Sequence, residues 1–475
     1  MLRVTVLERG RLVRGGEAER AYAAGTPARR ELAARLYDRL MRSEAAREDR
    51  GEKPVFAWRR HHALVGSWVG VVQVPGLQIE ILPKTDDQQP PEPGESLDAW
   101  VRDTRANLFE MLLRGGLGAV RARGLAQLAL RRATLHDQLV DAFLDRLLEE
   151  LRRGLDRAYH ALEDNLGTLR GKLVFHRHVA KNAAARHRFY CRHDVLSEAT
   201  PISVRLRRAC RVLAHRALPP PLMVKCQHAL AILDDVPEVA PDEARGEPVF
   251  NRQNERFRDV YAFACVVLEG QAPDARAGEV ETFSLLFDME KVFERYVAAF
   301  SRSHVLSRVP GTLLLPQGRG LRLGLFESDS RREVLRLAPD LLFEREAANE
   351  TRRFIVDTKW KRLSDPARAR PSDADLYQLY AYLRRYGCRR AVLLYPHVEG
   401  AAPRDLDALA GVEGQSVGVV GVRFVDVGKQ KLWTTDGRQH LARELEALVR
   451  EGLELVPAEA VENAERQPDA GDAWR

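Results

Sequence analysis

The first 85 residues alternate apolar and polar positions in short runs that glycine interrupts, a pattern typical of β-strands. The runs are VTVL, PVFAWRR and LVGSWVGVVQVPGLQIEILPK. In LQIEIL the apolar side chains fall on one side of a strand, and Gln78 and Glu80 fall on the other. We therefore predict a half-buried strand within a β-rich N-terminal domain over residues 1–96, which ends in a proline-rich, acidic linker, DDQQPPEPGES.

From residue 97 the apolar positions take the period of a helix. In HDQLVDAFLDRLLEELRRGL they recur every four residues from Leu139 to Leu151. The segment VRLRRACRVLAHRAL and the segment from Glu255 to Leu268 repeat the pattern, and the prolines of LPPPL separate two helices. A helical middle domain over residues 97–275 is predicted.

Beyond residue 280 the predicted order is helix, strand, strand, helix, strand. SLLFDMEKVFERYVAAF carries a helical apolar stripe that includes Leu286; EVLRLAPDLLF and RFIVDTKW alternate as strands; DADLYQLYAYLRRYG is helical and RRAVLLYP is a strand. A mixed sheet flanked by helices is expected in an α/β domain over residues 276–455. The tail over 456–475 has few bulky apolar residues and is predicted to be disordered, and the fold class is multidomain α+β.

Composition agrees with a folded protein of two or three domains, since the 475 residues are 45% hydrophobic and 30% charged. No run approaches the roughly 18 to 20 apolar residues that span a bilayer. The N-terminus lacks the apolar stretch of a signal peptide, so we expect a cytoplasmic protein. The five cysteines are widely spaced without a CxxC pair, which favours free thiols.

The net charge of +7 is unevenly distributed along the chain. Between Arg170 and Arg216 there are 12 Lys or Arg and 2 acids. Such a segment attracts nucleic acid through phosphate contacts and counterion release, although the solvated helices of an arginine-rich protein look the same, and the two interpretations are evenly balanced. Its histidines do not indicate zinc, because only His176 and His178 are expected to share a strand face. Nucleic-acid contacts are predicted at Arg170, Lys172, Arg177, Lys181, Arg186, Arg188 and, from a later helix, Tyr382.

The segment APDLLFEREAANETRRFIVDTKWK carries the chemistry. Asp340 stands near the start of one predicted strand, and Asp357 and Lys359 lie on the next, where residues two apart face the same side. Two carboxylates from adjacent strands suit Mg²⁺, which stabilises the charge of phosphodiester hydrolysis, and a lysine beside them can stabilise that charge or orient water. An isolated DxK is usually a surface ion pair, but the apolar FIV before Asp357 predicts a buried strand end, where charges need a partner or a metal.

Two helices supply further candidates. Glu294 flanks the apolar stripe of the helix before these strands and is a candidate third metal ligand, with a solvated glutamate as the even alternative. Gln378 and Tyr382 are four apart on one helix face. Either residue is a candidate for a phosphate or base contact, and packing is an equally good explanation for a tyrosine-rich helix.

These blocks resemble the PD-(D/E)xK nuclease superfamily, and more narrowly the McrC-like subunit of McrBC modification-dependent restriction systems. The likeness also includes LQIEILPK, LRGKL, CRHDVLSEATPISVRLRRACRVL and LLFDMEKVFERYV, and it extends over about residues 55–400. Ser203 stands where the family often has asparagine, and Trp360 replaces a common tyrosine. Neither departure removes a catalytic group.

The resemblance implies a nuclease that works with an McrB-like AAA+ GTPase hexamer, whose GTP hydrolysis it stimulates. It implies that Asp340, Asp357 and Lys359 form the nuclease triad, that Glu294 matches the LFE helix of the family, and that the N-terminal domain docks on the motor. The chain has no phosphate loop of its own, since GTLRGKL is one residue short and ends in Leu173 where Ser or Thr would bind Mg²⁺.

Our main hypothesis is Mg²⁺-dependent cleavage of DNA within a GTPase-driven restriction complex. Two alternatives remain open at this point. One is a non-catalytic subunit that binds DNA or activates the GTPase, and the other is an RNA-cleaving nuclease, because no feature of the sequence reads the 2′-hydroxyl.

Overall fold

The computed structural model describes residues 1–17, 22–48, 53–84, 97–115, 134–216, 218–237, 248–269, 283–318, 324–326, 333–336, 338–347, 350–361, 370–410, 415–428 and 430–455. The chain divides into two compact units, Met1–Leu135 with Asp274–Arg475, and His136–Pro273. The predicted linker DDQQPPEPGES and the predicted disordered tail over 456–475 lie outside the described residues. The domain boundaries that were inferred from composition stay predictions.

Helices occur in both units. Within the described residues they are α1 (Ala34–Glu48), α2 (Leu97–Gly115), α3 (Leu135–Arg152), α4 (Phe175–Asn182), α5 (Pro201–Ala214), α6 (Pro220–Ile232), α7 (Arg258–Glu269), α8 (Met289–Phe300), α9 (Asp373–Tyr386) and α10 (Thr435–Gly452).

Strands occur in both units as well. Those described are β1 (Leu2–Leu7), β2 (Arg11–Arg14), β3 (Ala23–Thr26), β4 (Arg29–Leu32), β5 (Phe56–Trp58), β6 (His62–Val65), β7 (Trp68–Val74), β8 (Leu77–Leu82), β9 (Ala158–Leu166), β10 (Lys172–Leu173), β11 (Phe189–Ser197), β12 (Phe283–Asp288), β13 (Thr312–Pro316), β14 (Gly324–Phe326), β15 (Glu333–Arg336), β16 (Leu341–Ala347), β17 (Glu350–Thr358), β18 (Arg390–Pro396), β19 (Arg404–Ala410) and β20 (Gln415–Val425). The mixed α+β architecture predicted from the sequence is confirmed.

The N-terminal residues form two sheets, ordered β3-β4-β2-β6-β5 and β1-β8-β7-β12. The prediction that β8 is half-buried is wrong, because every residue from Leu77 to Leu82 is buried. Glu80 tolerates that burial because the Arg105 guanidinium donates to both its carboxylate oxygens, at 2.6 and 2.7 Å. A charge paired in this way no longer requires a solvent-facing side of the strand.

Strand β12 joins the N-terminal sheet to the C-terminal part of the same unit, because it pairs antiparallel with β7. Leu286 was predicted to lie in a helix, but it lies in β12, opposite Gly70. The helix α8 begins only at Met289, after Asp288 caps it by accepting a hydrogen bond from the Glu290 backbone amide. The apolar run is therefore divided between a strand and a helix.

Helix α2 packs against α8 within the same unit. A side chain at Gly115 would meet the Tyr296 backbone nitrogen at 2.8 Å and the Val292 carbonyl oxygen at 3.0 Å. Only glycine therefore allows this close approach. The contact fixes the position of α8, from which Glu294 projects.

The unit His136–Pro273 contains helices together with an antiparallel sheet ordered β10-β11-β9. The helical pattern did not predict these strands, because they are short of apolar residues and much of their surface is exposed. His176 and His178 lie in helix α4, so the expectation that they share a strand face is wrong. All five cysteines are free thiols, as predicted.

The C-terminal sheet has the order β13-β16-β17-β18-β20-β19. The neighbours β16 and β17 are antiparallel, whereas β17, β18 and β20 run parallel, and α9 connects β17 to β18. Phe354, Ile355 and Val356 in β17 are buried, and each such side chain stabilises the fold by about 1.5–3 kcal/mol. Helix α9 ends at Gly387, whose φ of 62° is the left-handed cap that glycine favours.

Candidate nuclease site

The hairpin of β16 and β17 brings two aspartates to one end of the C-terminal sheet. In its register Leu341 stands opposite Val356. Asp340, one residue before β16, therefore falls opposite Asp357, the penultimate residue of β17. Residues that face each other across antiparallel strands are neighbours, so the two carboxylates separated by 17 positions in the sequence adjoin in space.

Asp357 is buried, with 1% of its surface exposed. Its Oδ2 forms an ion pair with Lys359 Nζ, at 2.7 Å. Burial, with the charge of Asp340 added to it, raises the pKa of Asp357 to about 7, against the opposing effect of Lys359. This carboxylate carries a negative charge that its surroundings only partly compensate.

Asp340 is held by Thr358. Its Oδ2 accepts hydrogen bonds from the Thr358 backbone amide at 2.8 Å and from the Thr358 hydroxyl at 2.7 Å. Burial raises the pKa of Asp340, and the bonds from Thr358 and the charge of Lys359 counteract that rise. This contact from Thr358 to the residue before β16 was not predicted from the sequence.

Lys359 is fixed by groups from three directions. Besides Asp357, its Nζ donates to Gln378 Oε1 at 3.3 Å and lies 3.9 Å from Asp375 Oδ1. Burial lowers the pKa of Lys359, but the surrounding carboxylates outweigh it and the net shift is upward. The ammonium group therefore stays charged.

Helix α9 supplies both Gln378 and Tyr382. Gln378 Nε2 donates to the Tyr382 hydroxyl at 2.8 Å, which in turn donates to the Ala338 carbonyl at 3.2 Å. Tyr382 is only 3% exposed, so its ring packs in the core and is not available to stack on a base. The predicted nucleic-acid contact at Tyr382 does not fit this burial, although its hydroxyl reaches the site.

Asp375 was not predicted from the sequence. Its Oδ2 accepts hydrogen bonds from Lys361 Nζ and from Ser372 Oγ, the cap of α9. Burial would raise the pKa of Asp375, but these hydrogen bonds hold it below its usual range. The available signal was the capping-box spacing of Ser372 and Asp375, which indicates a helix start but not a contact with lysines.

Glu294 reaches the site from α8. Its Oε1 accepts from Gln317 Nε2 at 3.2 Å, and the Gln317 backbone amide donates to the Asp340 carbonyl at 2.9 Å. Burial and the charge of Asp340 raise the pKa of Glu294. Gln317 has a φ of 53°, a strained value for a residue other than glycine, and this backbone helps place Glu294 beside Asp340.

The donor set fits a divalent cation held by few protein ligands. Among the described residues there is no group of three or more His, Cys, Asp or Glu side chains placed to hold a metal. Asp357 is buried and Asp340 is half-buried, and the charge of the pair is only partly compensated. Mg²⁺ commonly binds one or two carboxylates and keeps several waters. The pair therefore suits Mg²⁺ better than a closed structural zinc site.

The predicted basic contacts lie in the other unit, on β10, α4 and the loops beside them, and all of them are exposed. Arg177 binds Glu163 at 2.7 Å, and the Lys181 ammonium lies 4.9 Å from the centre of the Tyr190 ring. Such exposed pairs contribute little stability. Arg170, Lys172, Arg186 and Arg188 are the other exposed members of this group.

Within the part of the chain that the structure describes, no helix is long and apolar enough to cross a membrane.

The chain is similar to known proteins in sequence and in fold. The profile of a family described as "McrBC 5-methylcytosine restriction system component" matches residues 64–396. No curated protein matches the chain. A solved structure of Thermococcus gammatolerans McrB AAA+ hexamers with bound McrC is similar at 18% identity and a TM-score of 0.56, over 94% of this chain and 100% of that chain.

A cryo-EM structure of the Thermococcus gammatolerans McrBC complex is also similar, at 19% identity and a TM-score of 0.45. The match covers 64% of this chain and 88% of that chain. At these identities the first structure supports the fold alone, and the second is too distant to support an argument.

Proposed function

The chain belongs to the McrBC 5-methylcytosine restriction system component family, and from that premise we propose that it is the nuclease subunit of such a system. It hydrolyses phosphodiester bonds of DNA with Mg²⁺. The observation that carries the proposal is the adjacency of Asp340 and Asp357 at the end of a buried hairpin, with Lys359 Nζ 2.7 Å from Asp357.

The roles follow from the positions of these groups. Asp340 and Asp357 would hold the cation, and Glu294 adds a carboxylate next to Asp340. A divalent cation held there would stabilise charge on the phosphate and lower the pKa of a water molecule. Lys359 stabilises negative charge on the phosphate as it develops, and Gln378 keeps the lysine in place through its 3.3 Å contact.

We infer that the partner is an McrB-like AAA+ GTPase hexamer. The Thermococcus gammatolerans structure that shares the fold contains McrB AAA+ hexamers with bound McrC. The present sequence has no phosphate loop, so GTP hydrolysis would come from another chain. The exposed cations of the unit His136–Pro273 favour an electrostatic contact with nucleic acid.

A non-catalytic, GTPase-activating subunit remains the second candidate. One observation favours it, namely that the described residues contain no cluster of three metal-ligating side chains. The buried, partly compensated charge of Asp357 opposes this alternative. Such a charge lowers stability, and perturbed acids of this kind are typical of functional sites.

The test is cleavage of DNA by the chain assembled with its AAA+ partner in the presence of Mg²⁺ and GTP. Asp357→Ala should abolish nicking while GTP hydrolysis and assembly persist. Glu344→Gln, on the same hairpin, is the matched control because it loses only an ion pair with Arg353. Full cleavage by Asp357→Ala would reject the nuclease assignment in favour of the non-catalytic subunit, and labelled RNA beside DNA would reveal an RNA-cleaving enzyme.

A further inference from the structure

Trp360, the residue after Lys359, is held from outside the nuclease sheet. Its indole Nε1 donates a hydrogen bond to Glu8 Oε2 at 2.8 Å. Its ring packs on Phe293 with the ring centres 5.2 Å apart, and Phe293 precedes Glu294 on α8. Trp360 therefore connects both Lys359 and helix α8 to the N-terminal segment that contains Glu8.

Glu8 is a rigid acceptor for this bond. It follows β1 directly, is 2% exposed, and its backbone amide donates to the Leu82 carbonyl at 2.8 Å. The Arg9 guanidinium lies 3.9 Å from its other carboxylate oxygen. Burial raises the pKa of Glu8, and the Trp360 bond and the charge of Arg9 counteract that rise. The carboxylate is fixed to the four-stranded N-terminal sheet.

Packing does not enclose Trp360 completely, because the residue lines a cavity of about 120 Å³. The cavity is lined by Glu8, Arg9, Lys84, Trp360, Lys361, Pro396 and Val398. A ring beside open space has fewer contacts that define its orientation. The hydrogen bond to Glu8 then helps to set the angle of Trp360, which adjoins Lys359, while the Lys359 amide donates to the Leu394 carbonyl at 2.9 Å.

We propose that Glu8 is a positioning residue for the nuclease site, acting through Trp360 to hold Lys359 beside Asp357. The inference rests on the proposed nuclease function. It makes the N-terminal sheet part of the cleavage machinery, even though the chain separates Glu8 from Lys359 by most of its length. Loss of a residue that orients a functional group commonly costs 10–100-fold in activity, because small displacements of that group are costly.

The test compares variants that remove or preserve this single hydrogen bond. Glu8→Ala and Trp360→Phe should each lower the single-turnover DNA cleavage rate of the assembled complex by about 10–100-fold, without weakening DNA binding. Glu8→Gln should restore the rate, because its amide oxygen still accepts from the indole. The double variant should be no slower than the slower single variant, since both remove the same contact.

Measurements in a second background, Lys359→Ala, distinguish positioning of the lysine from a purely structural role of Glu8. In Lys359→Ala protein, Glu8→Ala should cause no further loss, because it acts through the missing lysine. Thr5→Val is the matched control on β1, since it removes the hydrogen bond from Thr5 to Glu80, and it should cleave like the parent. Should Glu8→Ala not fold, Trp360→Phe removes the same hydrogen bond, and Glu8→Gln shows whether a neutral acceptor at this position is sufficient.

The inference is overturned by wild-type cleavage in Glu8→Ala or Trp360→Phe, or by equal losses in the parent and Lys359→Ala backgrounds. This failure is distinct from failure of the proposed function. Active Asp357→Ala protein would refute the nuclease itself, whereas inactive Asp357→Ala with fully active Glu8→Ala would refute only the positioning role.

Discussion

Two buried carboxylates on β-strands, Glu80 in the N-terminal sheet and Asp357 in the C-terminal sheet, differ in what compensates their charge. Glu80 receives two hydrogen bonds from one guanidinium, at 2.6 and 2.7 Å, and further bonds from the Thr5 hydroxyl and the Leu135 amide. Each of the two carboxylate oxygens of Glu80 therefore accepts two hydrogen bonds. Glu80 thus connects β8 to α2 and to the Leu135 backbone amide.

The charge of Asp357 is less well compensated than that of Glu80, although Asp357 is more deeply buried. Its cation, Lys359, is shared with Asp375 and Gln378, and a second carboxylate, Asp340, adjoins it. Burial and Asp340 raise its pKa to about 7. The comparison shows that burial alone does not identify a functional acid. A charge that is only partly compensated, beside a second acid, is the more specific sign.

The largest effect is expected where compensation is complete. Arg105→Met should destabilise the fold by about 3–5 kcal/mol, because it leaves Glu80 buried without its cation. Denaturant unfolding would measure this, with the exposed Arg102→Met on the same helix as control. A loss below about 1 kcal/mol would mean that Glu80 does not depend on Arg105, and the contrast with Asp357 would disappear.

Lys359→Met should differ from Arg105→Met in that it lowers activity strongly and changes stability little. Cleavage should fall by about 10²–10³-fold, the usual cost of one group that stabilises developing charge, whereas stability should change little at pH 7 because Asp357 can take up a proton. Cleavage kinetics and thermal unfolding are measured on the same samples, with the exposed Lys291→Met as control. Equal losses in Lys359→Met and Lys291→Met would contradict the role of Lys359.

Asp357→Asn should stabilise the metal-free chain at pH 8, by a few degrees in unfolding temperature. The folded-state pKa of about 7 lies above the ordinary value of 3.8, so the folded chain retains a proton that the unfolded chain releases. Wild-type stability therefore falls as pH rises from about 4 to about 7 and then levels off, and the variant lacks this dependence. A stabilisation that is the same at pH 4 and pH 8 would refute the assignment to this carboxyl.

The smallest effect is expected on the basic surface of the unit His136–Pro273. Lys172→Ala should make the dependence of log affinity for DNA on log salt shallower by about 0.9, with no change in cleavage by bound complex. Arg152→Ala, also exposed in that unit, is the control for net charge. An unchanged slope would remove Lys172 from the DNA contact.

The sequence was informative where the pattern within a single strand was sufficient to predict the structure. The apolar FIV before Asp357 and the two-residue spacing to Lys359 predicted a buried strand end with acid and lysine on one side. Asp357 lies at the buried end of β17, whereas Lys359 follows the strand, with its Nζ 2.7 Å from Asp357. Glu80 was misplaced because its partner, Arg105, lies 25 positions away on a helix. The contacts from Thr358 to Asp340 and from Trp360 to Glu8 were missed for the same reason, since long-range partners of a side chain leave no local pattern.

The proposal that the aspartate pair binds Mg²⁺ is tested most directly by calorimetric titration of the full chain with Mg²⁺ at pH 7 in buffers of different ionisation heat. We predict binding that is lost in Asp340→Asn and in Asp357→Asn, retained in Glu344→Gln, and accompanied by proton release from Asp357. Unchanged Mg²⁺ binding in both aspartate variants would contradict the account.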